Sequence, residues 1–474
     1  MSNSLPSTWA IVSLLDVAPL VPTGVPNFTG EVEYYSTGSV QEGGLSSEGR
    51  YTFESRPSRA NRWTKPGDVL QARMQGTSKP LLVNASIADK LFSTGFIQLR
   101  PDPRFCNPGF LRHYIASKVF LDDRDSLATG STQIALTDAG VRGLEIPLAP
   151  LNEQRRIAAK LDILLGKVDE CQKRLAKIPM ILKRFRQAVL AAACSGRLTA
   201  DWREKNQTED VLEGSELPPG WHWMPIKELL PPGGIFDGPF GSNLKTADYT
   251  DYGVRVVRLE NVGYLQFIHQ KETYISQEKY KILSKHTVGA GDIIFASFIA
   301  EEVRACVLPK LKTRAIAKAD CFCLRPRQEV VNSHYLAFQL VNRESYERLL
   351  ESIHGATRPR INTTQLRNLE IRICPLAEQQ EIVHRVEALF KLADSNEKRV
   401  AAASIRVEKL TQAILPKAFR GELVPTEAEL ARREGRAYET ASELLTRIKS
   451  DKEMNEISVK LHYKLDHKKR SKPR

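Results

Sequence analysis

The sequence predicts an α+β protein built by internal duplication. Two similar globular domains are each followed by a long helix, and the helices pack as an antiparallel, coiled-coil-like pair with pseudo-two-fold character. Three observations carry this. The second half of the chain repeats the first at a spacing of 225 residues, each repeat contains one unbroken helical apolar seam, and the segments upstream of the seams mix short β-branched runs with helical and turn signals. The divisions expected are a first domain over 1–150, a first helix and linker over 151–215, a second domain over 216–375, a second helix over 376–425 and a basic tail over 426–474.

The repeat is tightest where the helices begin. Pro150-Leu151-Asn152-Glu153-Gln154 returns as Pro375-Leu376-Ala377-Glu378-Gln379, and the copies run without a gap to Leu198 and Leu423. Upstream they diverge. Leu5-Pro6-Ser7-Thr8-Trp9 resembles Leu217-Pro218-Pro219-Gly220-Trp221, Gly67-Asp68 resembles Gly291-Asp292, Leu99-Arg100-Pro101 resembles Leu324-Arg325-Pro326, and Gly130-Ser131-Thr132 resembles Gly355-Ala356-Thr357. His113-Tyr114 is matched with His334-Tyr335.

The domains of 1–150 and 216–375 read as α+β with extensive loops. Val254 to Leu259 and Asp292 to Ala296 are β-branched runs of strand length. Pro108 to Val119 and His334 to Tyr346 have helical spacing, while Pro231-Pro232-Gly233-Gly234 and Gly238-Pro239-Phe240-Gly241 mark turns.

In the first helix the seam is Ile157, Leu161, Leu164, Val168, Cys171, Leu175, Ile178, Leu182, Phe185 and Val189, alternating steps of four and three. The second keeps register through Ile382, Val386, Leu389, Ala393, Asn396, Val400, Ala403, Val407, Leu410 and Ile414. A seam of this length makes about 50 Å of helix and needs a partner, for which the other copy is the obvious choice. Pro179 is expected to kink the first helix and Pro416 to loosen the last turn of the second. Asn396 suits either a register-fixing buried amide or a wet helix edge. Gly196 and Gly421 stand where C-terminal caps want glycine.

Composition narrows the function. Net charge is +13 and the isoelectric point about 9.3, which favours a polyanionic partner or marks a merely basic protein. No apolar run approaches the roughly 18 residues of a membrane helix, and the N-terminus lacks the pattern of a secretory signal, so the chain is read as cytoplasmic and without a membrane partner. Seven irregularly spaced cysteines argue against a disulfide framework. Cys321-Phe322-Cys323 reads as two buried thiols on one face of a strand rather than half a metal site, and no metal is assigned.

Charge is uneven between the helices. Glu153 to Arg197 holds eleven basic and four acidic residues, net +7, whereas Glu378 to Glu422 holds eight and seven, net +1. Lys183-Arg184-Phe185-Arg186 suits a solvated face, DNA phosphates or an acidic protein surface. In the second domain Arg304, Lys310, Lys312 and Arg314 belong to a basic run over 302–327 that suits a DNA groove. Ser242, Asn243, Lys245, Arg258 and Asn261 lie in or near loop signals, and Thr357, Arg358 and Arg360 form another basic loop. The first domain offers Arg50, Arg73, Gln75, Lys79 and Lys90. For any one of these, phosphate contact or solvation outweighs base reading, since phosphate and sugar take most protein–DNA hydrogen bonds. No phosphate-binding loop, dinucleotide fingerprint, paired-histidine metal motif, nucleophile elbow or Pro-Pro-aromatic turn stands in the sequence, which argues against an autonomous enzyme and gives no catalytic or cofactor-binding residue.

Taken together, the Leu-Pro-x-x-Trp openings, the Gly-Asp strands and the duplicated Pro-Leu-x-Glu-Gln helices ending in Gly-x-Leu resemble the specificity subunit of Type I restriction–modification enzymes. Ile178 to Leu190 is similar to the subfamily of enteric bacteria, and Gly238-Pro239-Phe240-Gly241-Ser242 resembles a motif of the family's recognition domains. The resemblance covers the chain to about residue 450 and implies a non-catalytic reader of double-stranded DNA. Each domain would read one half of a split asymmetric target, and the helices would set the spacer and dock two modification (methyltransferase) subunits. It also implies that S-adenosylmethionine belongs to the modification subunits and ATP with Mg to the restriction (translocase and endonuclease) subunits, with no cofactor in this chain. A specificity scaffold for a methyltransferase alone, and a coiled-coil adaptor that binds no DNA, are the alternatives. The tail after Thr426 departs from the family in being strongly basic, its end matches nothing in the family, and it is read as a mobile basic arm.

Overall fold

The computed structural model describes residues 5–41, 44–130, 133–206, 216–299, 301–353, 359–451 and 453–454, the side chain of Ser242 excepted. The chain forms two compact units. One joins residues 1–175 to residues 402–474, and the other is the continuous segment 176–401. Each unit therefore holds one α+β domain, half of the first long helix and half of the second. Both helices, Leu151–Cys194 and Leu376–Phe419, continue through Pro179 and Pro416.

Within each unit the helix halves pack antiparallel, as the seams predict. In the first unit Ile157 and Leu161 share a core with Ile414, Ala418 and Phe419. In the second, Val189, Leu190 and Ala193 share a core with Ile382 and Val386. Arg186 ties the helices of the second unit by donating to Asp394 (2.6 Å) and Glu397 (2.8 Å), so one member of the basic cluster is an interhelical bridge. Lys183 and Arg184 remain exposed. Cover thins along the seam: Cys171 is exposed, Leu410 is 55% exposed, and Asn396 is half-buried.

The domains repeat one plan. In the first unit Ala10–Ser13 pairs antiparallel with Glu145–Leu148, and in the second His222–Pro225 pairs with Glu370–Ile373, so the start of each domain is stitched to its end. The first unit also holds a three-stranded sheet, ordered Phe96–Leu99, Val69–Ala72, Leu81–Leu82, and a four-stranded sheet, ordered Gly49–Tyr51, Val32–Tyr35, Leu91–Phe92, Arg62–Trp63. In the second unit a four-stranded sheet runs Ile235–Phe236, Cys321–Leu324, Ile293–Ala296, Ala305–Val307. Beside it a five-stranded sheet runs Tyr249–Thr250, Tyr274–Ile275, Val254–Val257, Ala315–Ala317, Thr287–Val288. Cys321 and Cys323 both lie buried in an apolar cluster, and burial pushes both thiols up.

Two expected helices are each broken in two by a cap. Pro108–Ile115 gives way to Lys118–Ser126 at Ser117, whose hydroxyl accepts from Phe120 N (3.3 Å). Ser333–Val341 gives way to Arg343–Glu351 at Asn342, whose side chain accepts from Ser345 N (3.0 Å). Such side chains satisfy the first amides of the following helix, so a polar residue between apolar ones ends one helix and starts another.

The tail is not a free arm over its first part. Glu427–Glu434 is helical with Thr426 as its capping-box residue, and residues 441–451 are helical again. Leu444 and Ile448 are buried in the core of the first unit, and Ala441 N donates to Thr8 O (3.2 Å). The basic end of the tail lies outside the described residues. No helix among the described residues is long and apolar enough to cross a membrane.

Candidate nucleic-acid interface

The repeated motifs turn out to be contacts with each other. Glu153 and Glu378, in the first turn of each long helix, are fully buried. Trp9 Nε1 donates to Glu153 (2.9 Å) and Trp221 Nε1 donates to Glu378 (3.0 Å), so the tryptophan of each Leu-Pro-x-x-Trp opening is held by the glutamate of its Pro-Leu-x-Glu-Gln. The adjoining glutamines act alike. Gln154 accepts from Asn107 N and donates to Phe105 O and Ala149 O, while Gln379 accepts from Asn332 N and donates to Val330 O and Cys374 O.

The chain leaving each helix returns to the same place. After the first helix, Thr199 Oγ1 donates to Glu378 (2.6 Å) and Arg203 pairs with Glu378. After the second, Glu427 N donates to Glu153 (2.8 Å), and Arg156 bridges to Glu427 (2.5 Å). Gly196 and Gly421 have φ of 76° and 74° and lie against Pro218 with Trp221 and Pro6 with Trp9, where a Cβ has no room.

The Gly-Asp and Leu-Arg-Pro motifs are likewise one ion pair in duplicate. Asp68 takes Arg100 at 2.6 and 2.8 Å, and Asp292 takes Arg325 at 3.0 and 2.8 Å. These contacts correct one sequence match. Asn107 and Asn332 cap equivalent helices, and the T-shaped pairs Trp9–Phe110 and Trp221–Tyr335 coincide. Tyr335 therefore corresponds to Phe110, not to Tyr114. The matched segments Gly130-Ser131-Thr132 and Gly355-Ala356-Thr357 lie largely outside the described residues.

The candidate DNA-contacting residues separate into groups. In the second domain the basic run over 302–327 is not one ribbon, because strands Ala305–Val307 and Ala315–Ala317 interrupt it. Arg304 and Lys318 lie at the end of the sheets where Ala296 pairs with Cys321, whereas the exposed Lys310, Lys312 and Arg314 lie at the opposite end, past the pairing of Val307 with Ile293. Arg258, which follows the pairing of Val257 with Ala317, belongs with the first group, as do Arg360 beside Asp320 and Asn243 beside Phe240. Asn243 and Lys245 are exposed. Arg258 is half-buried beside Glu260 (3.1 Å) and the ring of Tyr249.

Several candidates are committed inside the protein. Asn261 is fully buried, its amide donates to Ile268 O and Gln270 O (both 2.9 Å), and its side-chain oxygen accepts from Arg258 N, which corrects its reading as a base-contacting group. Arg73 donates to Phe96 O and Leu136 O and pairs with Asp138. Lys79 donates to Thr37 O (2.6 Å), and Lys90 pairs with Glu33 (3.0 Å). Arg304 Nη1 reaches Leu259 O and Val262 O. Arg50 and Gln75 are exposed. Thr357, Arg358 and the Ser242 side chain lie outside the described residues. Asp320 and Phe298 carry no sequence motif, and only the meeting of the loops brings both beside Arg360.

A family model of the Type I restriction modification DNA specificity domain matches residues 6–180 and again residues 233–403, one match per repeat. The chain belongs to the Type I restriction–modification DNA specificity family. Among its relatives, the StySPI specificity subunit of Salmonella potsdam is 34% identical over 329 residues, 69% of this chain and 67% of that protein. The EcoDI specificity subunit of Escherichia coli is 27% identical over 449 residues, 89% and 90% of the two chains. A chain of a Type I R-M system solved to show complex assembly and conformational transition is 25% identical. It superposes with a TM-score of 0.65 over 88% of this chain and 99% of that one. The specificity family's two-domain, two-helix fold is thus present, and the chain is a DNA-recognition subunit rather than a catalytic one.

Proposed function

We propose that this specificity subunit reads a split, asymmetric DNA target, one half with each α+β domain, while its helices set the spacer and dock two modification subunits. Methyl transfer then draws on S-adenosylmethionine in those subunits, and ATP with Mg serves the restriction subunits of the same cytoplasmic complex.

One observation carries this reading. The two domains share a backbone register and a set of anchoring contacts but differ in the side chains at one end. Met74 pairs with Ala135 in the first domain as Phe298 pairs with Arg360 in the second, and Arg73 N donates to Gly95 O as Ser297 N donates to Asp320 O. Met74, Gly95 and Ala135 thus hold the places of Phe298, Asp320 and Arg360. Equal scaffolds with unequal tips suit a target whose halves differ.

Methylome sequencing of a host carrying this chain with its methyltransferase tests it. A bipartite motif with a fixed gap is expected, and a continuous motif would refute it. Deleting one heptad from each helix should change the gap and leave both half-sequences as they were.

A further inference from the structure

We propose that Arg360 reads a guanine in the half-site of the second domain, with Asp320 as its positioning residue. The inference rests on the reading of the two domains as DNA readers and names a base contact within it.

Arg360 stands where three loops meet at one end of the four-stranded sheet. Its backbone is pinned: Ile299 N donates to Pro359 O (3.1 Å) and Ile361 N to Ser297 O (3.0 Å). Its guanidinium pairs with Asp320 and lies 5.9 Å from the ring of Phe240 and 5.6 Å from that of Phe298. Arg360 is 44% exposed along its side chain and Phe240 is 50% exposed, so the group is braced yet open to solvent.

The brace is itself fixed. Asp320 has φ of 72°, its carboxylate accepts from Ser297 Oγ (3.1 Å), and its N–H donates to Asp237 Oδ1 (2.9 Å). Asp237 also takes the Gly238 N–H (2.7 Å), and its carbonyl accepts from His286 Nδ1 (2.7 Å). Gly238 lies so close to the backbone of Lys318 that a Cβ has no room, which holds the Phe240 loop against the Asp320 turn.

This arrangement separates base reading from phosphate binding. A carboxylate beside the guanidinium offsets its charge and repels phosphate, so the pair is a poor backbone clamp. The same carboxylate takes the fork at Nη2 alone, so the guanidinium keeps N–H donors to offer in parallel, the pattern that guanine O6 and N7 accept in the major groove. Phe240 beside it offers an apolar face to the neighbouring base. The first domain has Ala135 and Gly95 at these places and lacks the device.

The test is methylation of a randomised duplex library by the full complex, comparing the unmodified chain with Arg360→Ala and Asp320→Asn. Arg360→Ala should relax one guanine of one half-site, with discrimination there falling on the order of 5- to 150-fold. The other half-site and the gap should be retained. Asp320→Asn should relax the same position less, and serves as the second arm if Arg360→Ala lowers the melting temperature. An unchanged motif for both variants overturns the assignment. So does an even loss over all sequences with a shallower salt dependence, which marks a phosphate contact. If the unmodified chain gives no two-part motif, the underlying reading has failed before any variant is compared.

Discussion

Replacing Glu378 with alanine should unfold the second unit more readily than any surface change. Its carboxylate is fully buried and receives the Trp221 indole N–H at 3.0 Å, the Thr199 hydroxyl at 2.6 Å and the Arg203 guanidinium. Hydrogen bonds to a charged group contribute about 1.5–3 kcal/mol each, but the three share one acceptor and do not add. Removing one partner from a buried ion pair costs about 3–5 kcal/mol, because the cation left behind keeps its desolvation penalty. We expect about 4 kcal/mol for Glu378→Ala. Glu378→Gln keeps one oxygen, enough for Thr199 and Arg203, which meet Oε1, but not also for the Trp221 indole, which meets Oε2, and should lose about half as much. Urea unfolding followed by tryptophan emission measures both, since Trp221 sits in the broken contact. A loss below about 1 kcal/mol for alanine, or equal losses for the two variants, would refute the latch. Glu153 sharpens the comparison. Burial raises its carboxyl above the usual range, so its contribution to stability is greatest at low pH and is lost as pH rises through its folded pKa. Glu153→Gln should therefore flatten that dependence in a pH series of urea midpoints.

Three further outcomes follow from the same contacts. Gly196→Ala should destabilise the second unit by about 2–4 kcal/mol, from the left-handed backbone and the displaced Pro218, as read by thermal melting. Leu444→Ala and Ile448→Ala should each remove about 2–3 kcal/mol from the first unit, whereas a truly free tail would give no change in urea midpoint. Burial raises Asp237 from 3.8 to about 6, so folding binds a proton there and stability falls as pH rises between about 4 and 6; Asp237→Asn should flatten that slope in a pH series of melts.

The helices were the most legible part of the chain. A seam of alternating four- and three-residue steps has one helical reading, and a duplicated seam supplies its own partner. The motifs Glu153-Gln154 and Trp9 were equally visible, but as separate words; only the folded chain shows that one is the hydrogen-bond partner of the other. The same holds for Asp68 and Arg100. The loops were less legible. The basic run over 302–327 looked continuous because composition does not record that two short strands send its members to opposite ends of a sheet. Asn261 looked like a base reader because an amide in a loop has the same sequence signature whether it faces DNA or closes its own turn. The first part of the tail was misread because the charge of the tail is conspicuous, while Leu444 and Ile448, four residues apart on one helix face, are few.

The composition of the two units has a consequence for how the protein is made. The second unit is one unbroken stretch of chain, so all its parts have been synthesised by residue 401. The first is assembled from both ends, and its core waits for Phe419, Leu444 and Ile448. On the ribosome, then, the reader encoded first is the one completed last. A message cut short near its end would yield a protein with its second reader whole and its first unfinished.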